Sequence, residues 1–262
     1  MCLILLSYQP GTARPLVVAA NRDEFHARAT QAAGFWPEHP DLVAGKDLLA
    51  GGTWLGCTRT GRFAALTNFS QDTDPSAPRS RGGLVHEFLI SQHSAMDYAE
   101  SIDGPIYAGF NLLLFDGAEL VYASNIATSD QPLPKRLAPG SYGLSNAELG
   151  AAWPKCTDGA EAIAKLAAAN CGIDELLEQL TDSATPADER LPQRDRDISF
   201  ERRIAPCFIV GDDYGTRASS ALIIDQGHIY FSEQTYHAAG QAGDRVDFDF
   251  DFERHSQQQE RA

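Results

Sequence analysis

The chain has 262 residues, of which 43% are hydrophobic and 22% charged, a balance typical of a globular protein with a buried core. Its 36 acidic residues against 21 basic ones give a net charge of −15, which argues against nucleic acid and anionic membranes as partners. No signal peptide is recognised and no apolar run is long enough to span a bilayer, so we expect a cytoplasmic protein.

Strands are predicted in the first third of the chain, where short apolar runs alternate with turn signals. These strands are expected at 3–8, 16–20, 53–58 and 62–67. A helix is predicted next, because apolar residues recur at helical spacing over 84–89. Strands return at 110–115 and 119–123, joined by the hairpin turn Asp116-Gly117.

Helices are predicted over 157–169 and 174–180, with Asp174 as the N-cap of the second. A polar, proline-dotted loop is expected over 183–203. The remaining strands are expected at 207–210, 219–225, 228–232 and 246–252. The last strand alternates aspartate with apolar residues, which indicates a solvated edge rather than a metal site.

This order of elements differs from the regular alternation of a βαβ protein. Antiparallel strands with helices segregated between them predict an α+β fold, with sheets packed on each other and covered by helices. No repeat or linker divides the chain, so we predict a single domain over 1–256 and a disordered tail over 257–262. The five cysteines are odd in number and widely spaced, which disfavours a disulfide framework and a cysteine metal site.

Cys2 stands directly behind the initiator methionine and begins an apolar run. Removal of Met1 would leave a thiol nucleophile and a free α-amine, with a pKa of roughly 8, on one residue. An activated thiol is expected to have a lowered pKa. The alternative is a small apolar residue that begins a buried strand.

The tetrapeptide Asn21-Arg22-Asp23-Glu24 follows the second apolar run and places polar groups at the end of a strand. If the first two strands form a hairpin, Cys2 lies near this end, where a carboxylate could orient its α-amine. The alternative is a polar turn held by a salt bridge.

Other candidates follow apolar runs or precede helices and strands. Asn68 and Asn146 end apolar runs and could stabilise an oxyanion or cap turns. Arg81 precedes the first helix and Arg217 precedes a strand, so either could hold an anionic group. Trp54 could line a pocket or fill the core.

Taken together, these segments resemble the NRDE family, the family of transport and Golgi organisation protein 2, over nearly the whole chain. The matching pieces are Met1-Cys2, 20–25, 51–56, 65–68, Arg81-Gly82, 109–112, 142–146 and 214–217. The family resembles the N-terminal-nucleophile hydrolases, which implies a four-layer αββα sandwich. Penicillin V acylases and bile salt hydrolases share the N-terminal cysteine, and Asp23, Asn68 and Asn146 match their acidic residue and their asparagines near the oxyanion. Their arginine before the acidic residue has no clear equivalent, because position 20 is alanine.

The resemblance therefore implies a hydrolase or acyltransferase that acts on an amide or a thioester. Cys2 would attack the carbonyl, Asp23 would orient the α-amine, and Asn68, Asn146 or both would stabilise the oxyanion. The substrate is a small molecule, bound by Asn21, Arg22, Trp54, Arg81 and Arg217, and no metal or cofactor is required. The alternative is a non-enzymatic carrier of haem or an acyl lipid, since the family is implicated in haem handling and lipid metabolism.

Overall fold

A computed structural model describes residues 2–70, 77–126, 133–194 and 196–251. Within these ranges the chain forms two antiparallel sheets and five α-helices. The strands are β1 (Cys2–Tyr8), β2 (Leu16–Phe25), β3 (Thr30–Trp36), β4 (His39–Asp47), β5 (Leu55–Thr58), β6 (Phe63–Asn68), β7 (Phe110–Phe115), β8 (Leu120–Ser124), β9 (Lys135–Arg136), β10 (Gly140–Leu144), β11 (Tyr214–Asp225), β12 (His228–Tyr236) and β13 (Ala242–Asp251). The helices are α1 (Gly82–Ile90), α2 (Ala95–Glu100), α3 (Pro154–Ala168), α4 (Ile173–Gln179) and α5 (Ile198–Ile204).

The first sheet has the strand order β10-β1-β2-β11-β12-β13, and the second sheet runs in the order β3-β4-β5-β6-β7-β8-β9. The mixed content and the antiparallel sheets agree with the predicted class. No helix in the described ranges has the length and apolarity that crossing a membrane requires.

Three hydrophobic clusters hold these elements together. The cross-sheet core contains residues of both sheets, such as Ile4 and Leu6 of β1 and Phe63 of β6. A second cluster joins the second sheet to α1 and α2, and a third joins the first sheet to α3 and α4. Strand β1 is buried on both faces, because Leu3 and Leu5 belong to the third cluster. Burial on both faces explains why its sequence is a continuous apolar run instead of an alternating one.

Several strands are longer than predicted, and this changes where the polar motifs lie. Residues 21–24 lie inside β2 rather than after it, and residues 214–217 lie inside β11. Strands β3 and β4 were not predicted, because glycine, proline and polar residues interrupt the apolar pattern of 30–47. The predicted hairpins at 59–61 and 116–117 are confirmed.

Three predictions in the last third of the chain were wrong. The segment 207–210 is not a strand, because its backbone bonds to single residues of neighbouring segments instead of a ladder. Helix α5 lies within the predicted loop. Gly172 rather than Asp174 is the N-cap of α4, and Asp174 lies in its first turn. Residue 252 and the predicted tail at 257–262 lie outside the described residues.

Candidate functional site

A cavity of about 360 Å³ opens between the ends of the two sheets, beside the start of α1. Residues of both sheets line it, so the site depends on how the sheets pack. Seven of the residues singled out in the sequence line this cavity: Cys2, Arg22, Asp23, Trp54, Asn68, Arg81 and Arg217. Asn21 and Asn146 are not among its lining residues.

Strand pairing brings the first of these residues together. Cys2 pairs with Arg22 in the β1–β2 ladder, and Arg22 pairs with Ala218 in the β2–β11 ladder. The β2–β11 register shifts between Thr216 and Ala218, so that Arg217 is the extra residue of a bulge. Bulges re-aim a side chain, and this one brings Arg217 to the cavity.

Asn146 holds the main chain at Cys2. The Cys2 nitrogen donates to Asn146 Oδ1 at 2.9 Å, and Asn146 Nδ2 donates to the Asn68 carbonyl oxygen at 2.8 Å. Ser145 Oγ donates to the Cys2 carbonyl oxygen at 2.7 Å. Asn146 therefore links β1 to the end of β6, and both ends of its amide are engaged.

A buried polar group that sequence reasoning did not single out supports the loop that carries Asn146. Asn111 Nδ2 donates to the Ala147 carbonyl oxygen at 2.9 Å and to Thr67 Oγ1 at 3.1 Å. Tyr122 donates from its hydroxyl to Asn111 Oδ1 at 2.7 Å. The available signal was an asparagine inside the apolar run 110–115, because buried polar groups need partners.

Burial dominates the electrostatics of Cys2 and Asp23. It raises the pKa of the Cys2 thiol, the chain's amino terminus and Arg22 oppose the change, and the Asp23 carboxylate adds to it. The lowered thiol pKa was expected for Cys2 after removal of Met1, and it stays a prediction. Burial also raises the pKa of Asp23, against the opposing effects of Lys155, the chain's amino terminus, Thr216 and Arg22.

Asp23 is 2% exposed and is held by β11. Thr216 Oγ1 donates to Asp23 Oδ1 at 2.7 Å, and Tyr214 donates from its hydroxyl to the Asp23 carbonyl oxygen at 3.2 Å. These contacts fix the backbone and the carboxyl of Asp23 beside the strand that begins at Cys2.

A group of charged residues around Asp47 lines the cavity. Asp47 Oδ2 lies 2.6 Å from Arg28 Nε and 3.4 Å from Arg22 Nη2. Burial disfavours the Asp47 carboxylate, but Arg28 and backbone N–H donors outweigh it, and its pKa lies below its ordinary value. Arg217 donates to the carbonyl oxygens of Phe25 and Arg28, and burial and the nearby Arg22 lower its pKa. Neither Arg28 nor Asp47 was predicted, because their strand context was not recognised.

The other predicted lining residues have mixed surroundings. Arg81 Nη1 donates to the Gly109 carbonyl oxygen at 3.0 Å, directly before α1. Trp54 lines the cavity and also packs against the cross-sheet core, so both interpretations of this residue hold. Asn68 is exposed and lines the cavity.

Asn21 was predicted to bind substrate, but its side chain is buried and does not reach the cavity. Asn21 is 0% exposed, and its Nδ2 donates to the carbonyl oxygens of Leu180 and Cys207, both at 2.9 Å. Ser219 Oγ donates to its Oδ1 at 2.6 Å. These bonds occupy the amide, so Asn21 ties β2 to the segments that pack on it.

Glu233 is a buried lining residue that the sequence did not reveal. It is 4% exposed on β12, and its Oε1 accepts a hydrogen bond from the Ala33 nitrogen of β3 at 2.8 Å. Burial raises its pKa, while the bonds from Ala33 and Ser220 oppose that change. Glu233 therefore connects the two sheets across the cavity.

No group of three or more metal-ligating side chains comes together in the described ranges. The five cysteines are all free thiols, and Cys57, Cys156 and Cys171 are buried away from the cavity.

The site thus belongs to a protein of mixed α and β structure with two antiparallel sheets and a cysteine that lines the cavity between them. The chain belongs to the Transport and Golgi organisation 2 family, whose family model matches residues 1–238. It is 33% identical to a Transport and Golgi organization protein 2 homolog of Bos taurus and 32% identical to that of Homo sapiens. Both alignments cover 90% of this chain and 93% of the relative.

Among solved structures, a mutant conjugated bile acid hydrolase from Clostridium perfringens aligns with 97% of this chain and 98% of its own. The TM-score is 0.43 and the sequence identity is 9%.

Proposed function

We propose that the chain is an N-terminal-nucleophile hydrolase or acyltransferase that acts on an amide or a thioester. The observation that carries this proposal is the hydrogen bond from the Cys2 nitrogen to Asn146 beside a cavity that Cys2 lines. Removal of Met1 would convert that nitrogen into a free amine, already held by Asn146 and next to the thiol. Because the thiolate is the nucleophile, a base on the same residue would activate the thiol.

In the first half-reaction the α-amine takes the thiol proton while the Cys2 sulfur attacks the carbonyl carbon. The tetrahedral intermediate collapses, and its leaving amine or thiol departs with the proton from the α-ammonium. The product is a thioester on Cys2. In the second half-reaction water, or an acceptor nucleophile, gives its proton to the α-amine and attacks that thioester. The acyl group is released, and the α-ammonium returns the proton to the departing Cys2 sulfur, which restores the thiol.

The contacts divide the remaining roles. Asn146 holds the α-amine and Asp23 orients it from the neighbouring strand. Asn68 is the better candidate for the oxyanion, because its side chain is exposed at the cavity whereas the Asn146 amide is occupied. Arg22, Arg81 and Arg217 would bind an anionic part of the substrate, and Trp54 would contact its apolar part.

The finer description of the fold is part of the same proposal. We infer that the elements stack as the αββα layers of N-terminal-nucleophile hydrolases. The three clusters, one between the sheets and one on the outer face of each sheet, support this arrangement. The single domain and the cytoplasmic location stay predictions.

The test compares the wild-type chain, after intact-mass measurement of Met1 removal, with Cys2→Ala. Both are assayed on N-acyl amides and acyl thioesters of short and long chain length, with Cys171→Ala as a buried-cysteine control. We expect turnover by the wild type and the control, and none by Cys2→Ala. Equal turnover by Cys2→Ala would contradict the nucleophile. A retained methionine, no turnover by any variant and Cys2-independent haem binding would favour the carrier.

A further inference from the structure

Lys155 is a buried cation that the reaction described above does not use. It is the second residue of α3 and is 7% exposed. Its Nζ donates to the Ile204 carbonyl oxygen at 2.8 Å, and it forms no ion pair with any residue in the described part of the chain. An ammonium group has three donors, and burying one without a compensating charge is costly. A buried ammonium group in this position therefore calls for a negative charge nearby.

Asp23 lies on the same side of the first sheet as Lys155. Side chains alternate along a strand, so Asn21 and Asp23 face away from the cross-sheet core that Ala20 and Val18 join. On that side Asn21 bonds to the Leu180 and Cys207 carbonyl oxygens. Helix α3 packs on this same face, against β1, β2 and β10. Lys155 bonds to Ile204, and Cys207 in the same segment bonds to Asn21, so the ammonium group and the Asp23 carboxyl lie on one side of the sheet around this segment.

Titratable and polar groups surround Asp23 from several elements. They are Cys2 and the amino terminus beside β1, Arg22 on its own strand, Thr216 and Tyr214 on β11, Lys155 on α3, and Cys207 on the segment after α5. Burial leaves the pKa of Asp23 above its ordinary value, and Lys155 has the largest of the opposing effects. Burial raises the pKa of Cys207 to about 12, and Lys155 again opposes the change, which agrees with one shared polar cluster.

We propose that Lys155 is a positioning residue whose buried ammonium supplies the counter-charge of the Asp23 carboxylate behind Cys2. The inference rests on the proposed function only where Asp23 orients the α-amine of Cys2. An ionised Asp23 accepts a hydrogen bond from that amine and aims its lone pair, whereas a protonated Asp23 would not. Lys155 acts through Asp23 and does not touch the substrate.

The direct test is a titration of Asp23 by carboxyl carbon NMR, with the signal assigned by its loss in Asp23→Asn. Lys155→Met removes the charge and keeps the aliphatic stem, and Lys155→Arg keeps the charge. Lys165→Met, at an exposed position of the same helix, is the matched control. We expect Lys155→Met to raise the pKa of Asp23 by about one unit or more. Lys155→Arg should restore most of the shift, and Lys165→Met should leave it unchanged.

An unchanged Asp23 pKa in Lys155→Met would overturn the inference. The titration needs no turnover, so it tests this inference separately from the proposed function. If the pKa of Asp23 rises in Lys155→Met but the chain turns over no acyl substrate, the charge relation is supported and the proposed enzymatic function is contradicted. In an active enzyme, the acid limb of the kcat/KM profile should move to higher pH in Lys155→Met.

A double-mutant cycle covers the case in which Lys155→Met folds poorly. The free energy of unfolding in urea is measured for Lys155→Met in the wild-type and Asp23→Asn backgrounds. We expect a smaller loss in the Asp23→Asn background, because the carboxylate that needs the ammonium is gone. Equal losses in the two backgrounds would show that the residues are independent and would overturn the inference.

Discussion

The two asparagines at the site differ in what their side chains contact, although both end an apolar run. Asn146 uses both ends of its amide on the main chain at Cys2 and Asn68. Asn68 contributes its carbonyl oxygen to that link and leaves its side chain exposed at the cavity. Their substitution should therefore have different consequences.

We expect Asn146→Ala to lower the free energy of unfolding by about 1–3 kcal/mol, because two hydrogen bonds are lost. Asn68→Ala should leave stability nearly unchanged and lower kcat of the processed enzyme. Urea unfolding and steady-state kinetics measure the two effects, and each variant is the control for the other. A stable Asn146→Ala with full activity would contradict the role of Asn146.

Glu233 predicts a pH dependence of stability. Its pKa is raised in the folded chain above the ordinary value of 4.5, so the folded state holds its proton more tightly than the unfolded state does. Its contribution to stability is therefore present below 4.5 and is lost as pH rises through the raised pKa. Glu233→Gln keeps the acceptor for the Ala33 nitrogen and should remove this dependence in urea unfolding from mildly acidic to neutral pH. Glu161→Gln, at an exposed position of α3, should change nothing, and an unaltered profile in Glu233→Gln would contradict the assignment.

Among the elements, β10 and α3 approach so closely that only glycine fits at the contact. A Cβ on Gly143 would lie 2.2 Å from the Cys156 carbonyl oxygen. Gly143 pairs with Leu5 of β1 and stands three residues before Asn146, so a shift here reaches the candidate site.

We expect Gly143→Ala to destabilise the fold by about 1–3 kcal/mol, because the backbone of α3 must move. Gly140→Ala on the same strand is the control, since its nearest neighbours are Tyr142 ring atoms at 3.5 Å and beyond. Thermal unfolding of the two variants measures the difference. Equal melting temperatures of the two variants would show that α3 can move away from position 143 without loss of stability.

Elements with a clear apolar period were predicted well, and those shaped by tertiary contacts were not. The runs at 3–8, 62–67 and 110–115 are strands, because each is buried along its length. Strands β3 and β4 were not predicted, because glycine, proline and polar residues interrupt their apolar pattern. Their pairing is irregular, with register shifts at both ends of β3. In the apolar segment 207–210, Phe208 and Ile209 are buried and Val210 is exposed, and the segment contacts β2 and β11 through single bonds rather than a ladder.

The same limit applies to the candidate site. Cys2, Arg22 and Asp23 could be predicted as neighbours, because a hairpin brings the ends of two consecutive strands together. Their alternation on β2 was missed, so Asn21 was wrongly grouped with the binding residues. Lys155 and Glu233 could not be found, because only packing of distant elements brings them to β2 and to the second sheet.

For the whole molecule, the cross-sheet core shapes the cavity as well as the fold. Phe63 is 0% exposed within it, whereas Phe25 is 58% exposed at the end of β2. Because the core includes both sheets, its loss should affect them together.

We expect Phe63→Ala to lower the free energy of unfolding by about 3–5 kcal/mol, and Phe25→Ala to have a much smaller effect. In calorimetry the wild-type chain should unfold in one transition with equal calorimetric and van't Hoff enthalpies, as the predicted single domain requires. Two resolved transitions, of which Phe63→Ala moved only one, would contradict it.

The central claim is that the Cys2 sulfur forms a thioester with the acyl group. The most direct measurement is intact-mass and peptide-mapping spectrometry of the processed chain, quenched in acid shortly after mixing with a reactive acyl thioester. We expect one acyl group per chain, on the peptide that begins at Cys2, and no adduct on Cys2→Ala. An acyl group on another residue, or equal labelling of Cys2→Ala, would contradict the claim.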